Sequence, residues 1–182
     1  LERARPLVEQ AAFPEWTSRF ERAQLEIWLA QDRLRAAVAW VDTMQRDDVL
    51  AQRPESESAR LALARLLIVK VDGPSREQAL ALLGPLLHAA EREGRAGIQI
   101  EALALRALAH GQAGDRAGAM VQLEHALRLA EPEGYVRLFA DLGLPMVRLL
   151  QEARSRQVLP EYVAALLAAC GAGSAASATD VG

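Results

Sequence analysis

Residues 97–134 read GIQIEALALRALAHGQAGDRAGAMVQLEHALRLAEPEG. Two apolar runs flank the polar punctuation Gly114-Asp115, and Pro132-Glu133-Gly134 stops the second run. Within it Ala119, Leu123, Ala126, Leu127 and Ala130 fall at i, i+4, i+7, i+8 and i+11, a single apolar stripe on a helix. The first run differs. Ile100, Leu103, Ala104, Ala107 and Leu108 form one face, while Ala102, Leu105 and Ala109 carry apolar surface to the others. A helix apolar nearly all round needs neighbours on several sides, whereas a striped helix covers an outer layer. The spacing therefore predicts an antiparallel helix pair, one member inside and one outside, as a curved stack requires.

The same design recurs upstream. Pro, Gly and Asp punctuation predicts helices over about 14–31, 33–46, 56–71, 75–93, 97–113 and 116–130, then shorter ones at 135–141, 144–156 and 160–169. Ser75, with Gln78 three residues on, reads as a capping box. Residues 1–13 read as the end of a preceding helix, 14–170 as the repeat domain, and 171–182 (GAGSAASATDVG) as a flexible linker. In three pairs the second helix opens with a small residue, Ala37, Ala79 and Ala119, separated by 42 and 40 residues. A period of that size in a helical chain marks a solenoid, with a small side chain where the two helices cross closely.

Composition agrees. Ala (36) and Leu (29) outnumber Val, Ile and Thr (19 together), which favours helices and argues against sandwiches, barrels and parallel-sheet nucleotide folds. With 51% hydrophobic residues and a net charge of −3 the chain is not a disordered one. Neither half is basic, so no phosphate-neutralising field for nucleic acid is present. The single cysteine, Cys170, excludes an internal disulfide and fits a cytoplasmic protein. No apolar run is long enough to cross a membrane, and no signal peptide opens the chain. With Leu1 in place of an initiator Met, the sequence reads as a fragment or a processed chain. The fold expected is all-α: a tetratricopeptide-like α-α superhelix, or solenoid, of antiparallel helix pairs.

Gly114-Asp115-x3-Ala119-x3-Leu123-x2-Ala126-x5-Pro132 resembles the tetratricopeptide pattern, although the spacing of 40–42 departs from that repeat's period of about 34. A more specific likeness covers residues 80–142. Leu86-Leu87 with Gly94, Ala107 to Asp115, and above all Ala130-Glu131-Pro132-Glu133-Gly134-Tyr135-Val136-Arg137-Leu138-Phe139 resemble the helical-repeat region of large ATP-binding LuxR-family, MalT-like transcriptional regulators. The segment with Trp16, Trp28 and Trp40 and the closing Leu159-Pro160-Glu161-Tyr162-Val163 are compatible with it. In that family a nucleotide-binding module precedes the repeats and a helix-turn-helix follows them. The resemblance implies a sensor or protein-interaction domain that binds a small-molecule inducer or a regulatory protein and works with the ATPase and helix-turn-helix domains of its parent. The sole lysine, Lys70, follows no Gly-rich run, so this chain has no Walker loop and, with no helix-turn-helix, is expected neither to hydrolyse ATP nor to read DNA. Self-association is left open. The alternative is a stand-alone tetratricopeptide-like scaffold that assembles other proteins.

Chemistry-bearing residues do not converge in the sequence. His88, His110 and His125 lack metal-ligand spacing, and Cys170 has no base beside it. Asp47-Asp48 and Glu131/Glu133 lie at helix ends or in loops, outside the apolar settings that raise a catalytic pKa. No enzyme, metal or cofactor is expected. The three tryptophans recur every 12 residues, which is not one helical face, and are expected to anchor the first pair; Trp28 is the one most suited to line a groove. Aligning the pairs on their alanines places Arg19, Arg22 and Glu26, then Arg65, then Glu101 on the concave face, a mixed polar line suited to a peptide, a protein or a small polar ligand. The competing reading makes them ordinary solvated or intrahelical ion-pair residues, as in the i,i+4 pair Arg22–Glu26.

Overall fold

The computed structural model describes residues 56–178; the expectations for the segment carrying Ala37 and the three tryptophans lie outside the described residues. Among the described residues the regular elements are all α-helices: α1 (Ser56–Val69), α2 (Gly73–Arg92), α3 (Ala96–Gln112), α4 (Arg116–Ala130), α5 (Arg137–Ala140), α6 (Gly143–Ser155) and α7 (Pro160–Ala178). They divide between Leu83 and Gly84 into two compact units.

In the first unit α1 buries Leu61, Ala62, Leu63 and Ala64, then Leu66, Leu67 and Ile68, with Arg65 between the two runs. It stops at Val69, short of the expected Val71, because Val71 takes φ +54°. A β-branched residue in the left-handed region cannot continue a right-handed helix. Asp72 then caps α2: its Oδ1 accepts the Ser75 N–H at 2.7 Å and its Oδ2 accepts the Ser75 hydroxyl at 2.9 Å. The capping residue is therefore Asp72 rather than Ser75, and α2 begins at Gly73. Pro74 is tolerated there because the first turn has no internal acceptor for its missing N–H. Ala79, the expected small residue of this pair, is fully buried.

In the second unit α3 packs along α4 and α6 along α7, each pair reversing through a short turn. The two pairs join where α6 meets α3 and α4, and α5 rests on α6 and α7. The predicted stripe on α4 is wholly buried, from Ala119 through Leu123, Ala126 and Leu127 to Ala130. On α3 every residue named for the inner helix is buried, from Ile100 through Ala102, Leu103, Ala104 and Leu105 to Ala107, Leu108 and Ala109. The close crossing is visible at Gly111, where a Cβ would lie 4.0 Å from the Ala119 Cβ and 3.4 Å from the Leu149 Cδ2.

One turn closes four helices. Gly94, Gly114 and Gly134, 20 residues apart, have φ +66°, +78° and +68°. Behind each, the next N–H returns to a carbonyl five residues back: Arg95 to Ala90, Asp115 to His110 and Tyr135 to Ala130. The glycine N–H in turn reaches the carbonyl three residues back, completing the Schellman motif. This 20-residue beat of helix plus turn is half of the 40-residue spacing between Ala79 and Ala119. The fourth copy, after α6, uses Gln157 at φ +60°, with Val158 bonded to Ala153. Because a side chain in that region is strained, Gln157→Gly should raise stability by about 0.5–1 kcal/mol, read as a higher melting temperature.

The closing helix is longer than expected. It runs past Ala169 to Ala178, so residues 171–178 of the stretch read as linker are helical. The alanines among its small residues retain helix propensity despite the glycines.

Candidate functional site

Of the six residues expected on a binding face, Arg19, Arg22, Glu26 and Trp28 lie outside the described residues. Arg65 is half-buried on α1, between the fully buried Ala64 and Leu66. Glu101 is half-buried on α3, between the fully buried Ile100 and Ala102. They belong to different units, and neither is an unpartnered charge. The structure thus places each beside a buried layer.

The best-organised polar feature of the second unit is a line along α3 that the sequence reading did not single out as a site. Gln99, Arg106 and His110 stand at i, i+7 and i+11, all half-buried. The Gln99 Nε2 donates to the Ala90 carbonyl at 2.9 Å, tying α3 to the end of α2. The Arg106 Nε donates to the Gln122 Oε1 of α4 at 3.0 Å. At the turn, the His110 Nδ1 meets the Asp115 Oδ2 at 2.9 Å, while the Asp115 Oδ1 accepts the Gly118 N–H at 2.9 Å. Asp115 is the N-cap of α4 and is legible as such from Gly114-Asp115 before a helix. The Arg106–Gln122 bond was not legible, because it depends on the register of two helices.

Gly118 lets this turn close: a Cβ there would fall 2.2 Å from the Asp115 Oδ2 and 2.8 Å from the His110 Nδ1. The Gly118 N–H, and secondarily His110, holds the Asp115 carboxyl below the usual carboxylate range. A depressed carboxylate contributes stability that is present above its ordinary pKa, about 3.9, and is lost as pH falls through the folded-state value. The urea midpoint of Asp115→Asn should accordingly fall less between pH 7 and pH 3 than that of the parent chain. Equal falls would remove Asp115 from the acid response.

A second junction joins the turn after α4 to α7. The Tyr162 hydroxyl donates to the Tyr135 carbonyl, and the Tyr135 hydroxyl lies against Gly97, 3.0 Å from where a Cβ would stand. Burial, with the charge of Glu131 in support, pushes the Tyr162 phenol up to about 12. The neutral phenol is the form the fold favours, so its contribution is full below pH 10 and fades as pH rises toward 12. Tyr162→Phe should cost about 0.5–1.5 kcal/mol in a denaturant titration at pH 7 and should weaken the alkaline dependence of stability.

The remaining candidates stay apart. His88 and His125 are exposed, as are Glu131 and Glu133, while Asp47 and Asp48 lie outside the described residues. Cys170 is half-buried, and burial pushes its thiol up, away from a reactive thiolate. Among the described residues no three His, Cys, Asp or Glu side chains gather as a metal site would require. No helix among them is long and apolar enough to cross a membrane.

No curated protein and no solved structure matches the chain. A family does: residues 1–156 match the MalT-like TPR region. The match spans all the described helices from α1 to α6, including the Glu131–Phe139 segment and its turn. The buried alanine positions, the paired helices and the Schellman turns of the second unit are what such a repeat array is made from, and the chain belongs to the MalT-like TPR-region family.

Proposed function

We propose that this chain is the sensor or protein-interaction repeat region of a bacterial LuxR/MalT-type transcriptional regulator. It binds an inducer or a regulatory protein in the cytoplasm and so controls activation by the ATPase and helix-turn-helix domains of its parent. Catalysis and DNA reading belong to those other domains, with residues 171–182 leading toward the DNA-binding one. The observation that carries this reading is the family match over residues 1–156, supported by the all-helical paired fold.

The binding face is drawn from Arg19, Arg22, Glu26, Trp28, Arg65 and Glu101. A thermal-shift screen of sugars, amino acids, aromatic compounds and acidic peptides tests the proposal. A ligand at about 100 times its Kd should stabilise the chain by about 2.7 kcal/mol, or about 5–10 °C at this size. Failure of every class to shift the transition, together with no protein captured by the chain, would sink the sensor reading.

A further inference from the structure

The feature that neither the family nor the proposed sensing role accounts for lies within α2. This helix runs from Gly73 to Arg92 with Pro85 inside it and Gly84 just before. Proline has no N–H, so the Ala81 carbonyl loses its helical donor, and the ring crowds the preceding turn. Glycine at the neighbouring position removes the side chain that would restrict the backbone. A Cβ at Gly84 would meet nothing within 4 Å, so packing does not demand glycine there.

The placement is directional. Ala79, Leu83, Leu86 and Ala90 stand at i, i+4, i+7 and i+11 and are all buried, so one stripe continues through the break. Ala81 and Pro85 stand at i and i+4 on the opposite side, both exposed. The missing hydrogen bond therefore opens toward water, which can serve the freed carbonyl while the buried stripe stays intact. Helices bend sharply at such a site. An independent observation falls on the same spot: the two compact units divide between Leu83 and Gly84.

We infer that Gly84-Pro85 is a hinge built into α2, about which the helix itself bends. The inference does not depend on what the chain binds. An inducer or partner that favours one bend angle would move that equilibrium by its differential affinity for the two forms.

The test uses the whole chain carrying Cys170→Ser, with nitroxide labels at Glu77→Cys and Arg92→Cys, both exposed and on either side of the break. A straight helix separates these positions by about 22 Å. The parent sequence at 84–85 should show a broad distance distribution with a shorter mean. Gly84→Ala with Pro85→Ala should narrow it and bring the mean to the straight-helix value. Equal width and mean in the two chains would overturn the hinge. Hydrogen exchange gives a second reading that needs only Pro85→Ala: the amides of residues 86–89 should exchange about tenfold or more slowly in the variant, with α4 unchanged. Equal rates at 86–89 overturn the inference as well.

Discussion

Phe139→Ala should lower the stability of the chain by about 3–5 kcal/mol, or about 6–20 °C in melting temperature, the largest effect expected from a single substitution here. Phe139 is fully buried and is the one buried residue of α5, a helix of four residues. So short a helix has no stability of its own, since nucleation costs more than one turn returns. Its position is therefore held by packing. α5 rests on α6 and α7, and the benzyl group is what it inserts. Removing the ring leaves a cavity, and the loss of α5 should loosen the Tyr162–Tyr135 junction beside it. The experiment is a thermal or urea melt with Leu138→Ala as a half-buried comparison. A loss below about 1 kcal/mol for Phe139→Ala would mean that the site collapses without a void or that α5 does not pack as described.

Ala119→Leu should cost about 1–3 kcal/mol by the opposite route, overpacking. Ala119 is fully buried at the start of α4, and its Cβ lies 4.0 Å from where a Cβ on Gly111 of α3 would stand. The isopropyl group added on the Cβ has no room unless the helices separate. Leu149 stands at the same crossing, its Cδ2 3.4 Å from where that Gly111 Cβ would lie, so separation would disturb its packing as well. Ala119→Ser, nearly the same size, is the control that should retain most of the stability. An unchanged melting midpoint for Ala119→Leu would show that the crossing is not close.

Both predictions concern packing, and packing was the part of the fold most legible in advance. The stripe from Ala119 to Ala130 and the all-round burial of α3 follow from the 3.6-residue period, which depends on nothing distant. Helix ends were read less well where two local signals compete. Ser75 with Gln78 looked like a capping box, yet Asp72 takes the cap, because a carboxylate can hold the Ser75 N–H and hydroxyl together. The Ala-, Ser- and Gly-rich stretch after Ala169 looked like linker, yet its backbone stays helical to Ala178.

The candidate site was less legible than the fold. The alignment of the helix pairs on their alanines assigns Arg65 and Glu101 a face but not a partner. The structure places each beside a buried layer with interactions of its own. The line Gln99, Arg106 and His110 escaped notice because its partners are a backbone carbonyl on α2 and two side chains beyond the turn. A helix register that brings residue 106 to residue 122 depends on how closely the two backbones approach, hence on Gly111 and Ala119 together.

Composition and period alone settled that this is a helical-repeat protein, which residues face inward in the inner and outer helices, and where small residues are required. Those properties are local: propensity, a 3.6-residue face and the volume of a side chain belong to a segment wherever it sits. The tertiary structure decided which polar groups meet, which carboxylate is held ionised, that among the described residues four helices end in one turn of which Gln157 makes the strained copy, and that the helical span of α2 contains a proline. These depend on the distance between elements. A hydrogen bond is lost within a few tenths of an ångström, whereas burial tolerates more, so the hydrophobic pattern can be read from the chain and the polar contacts cannot.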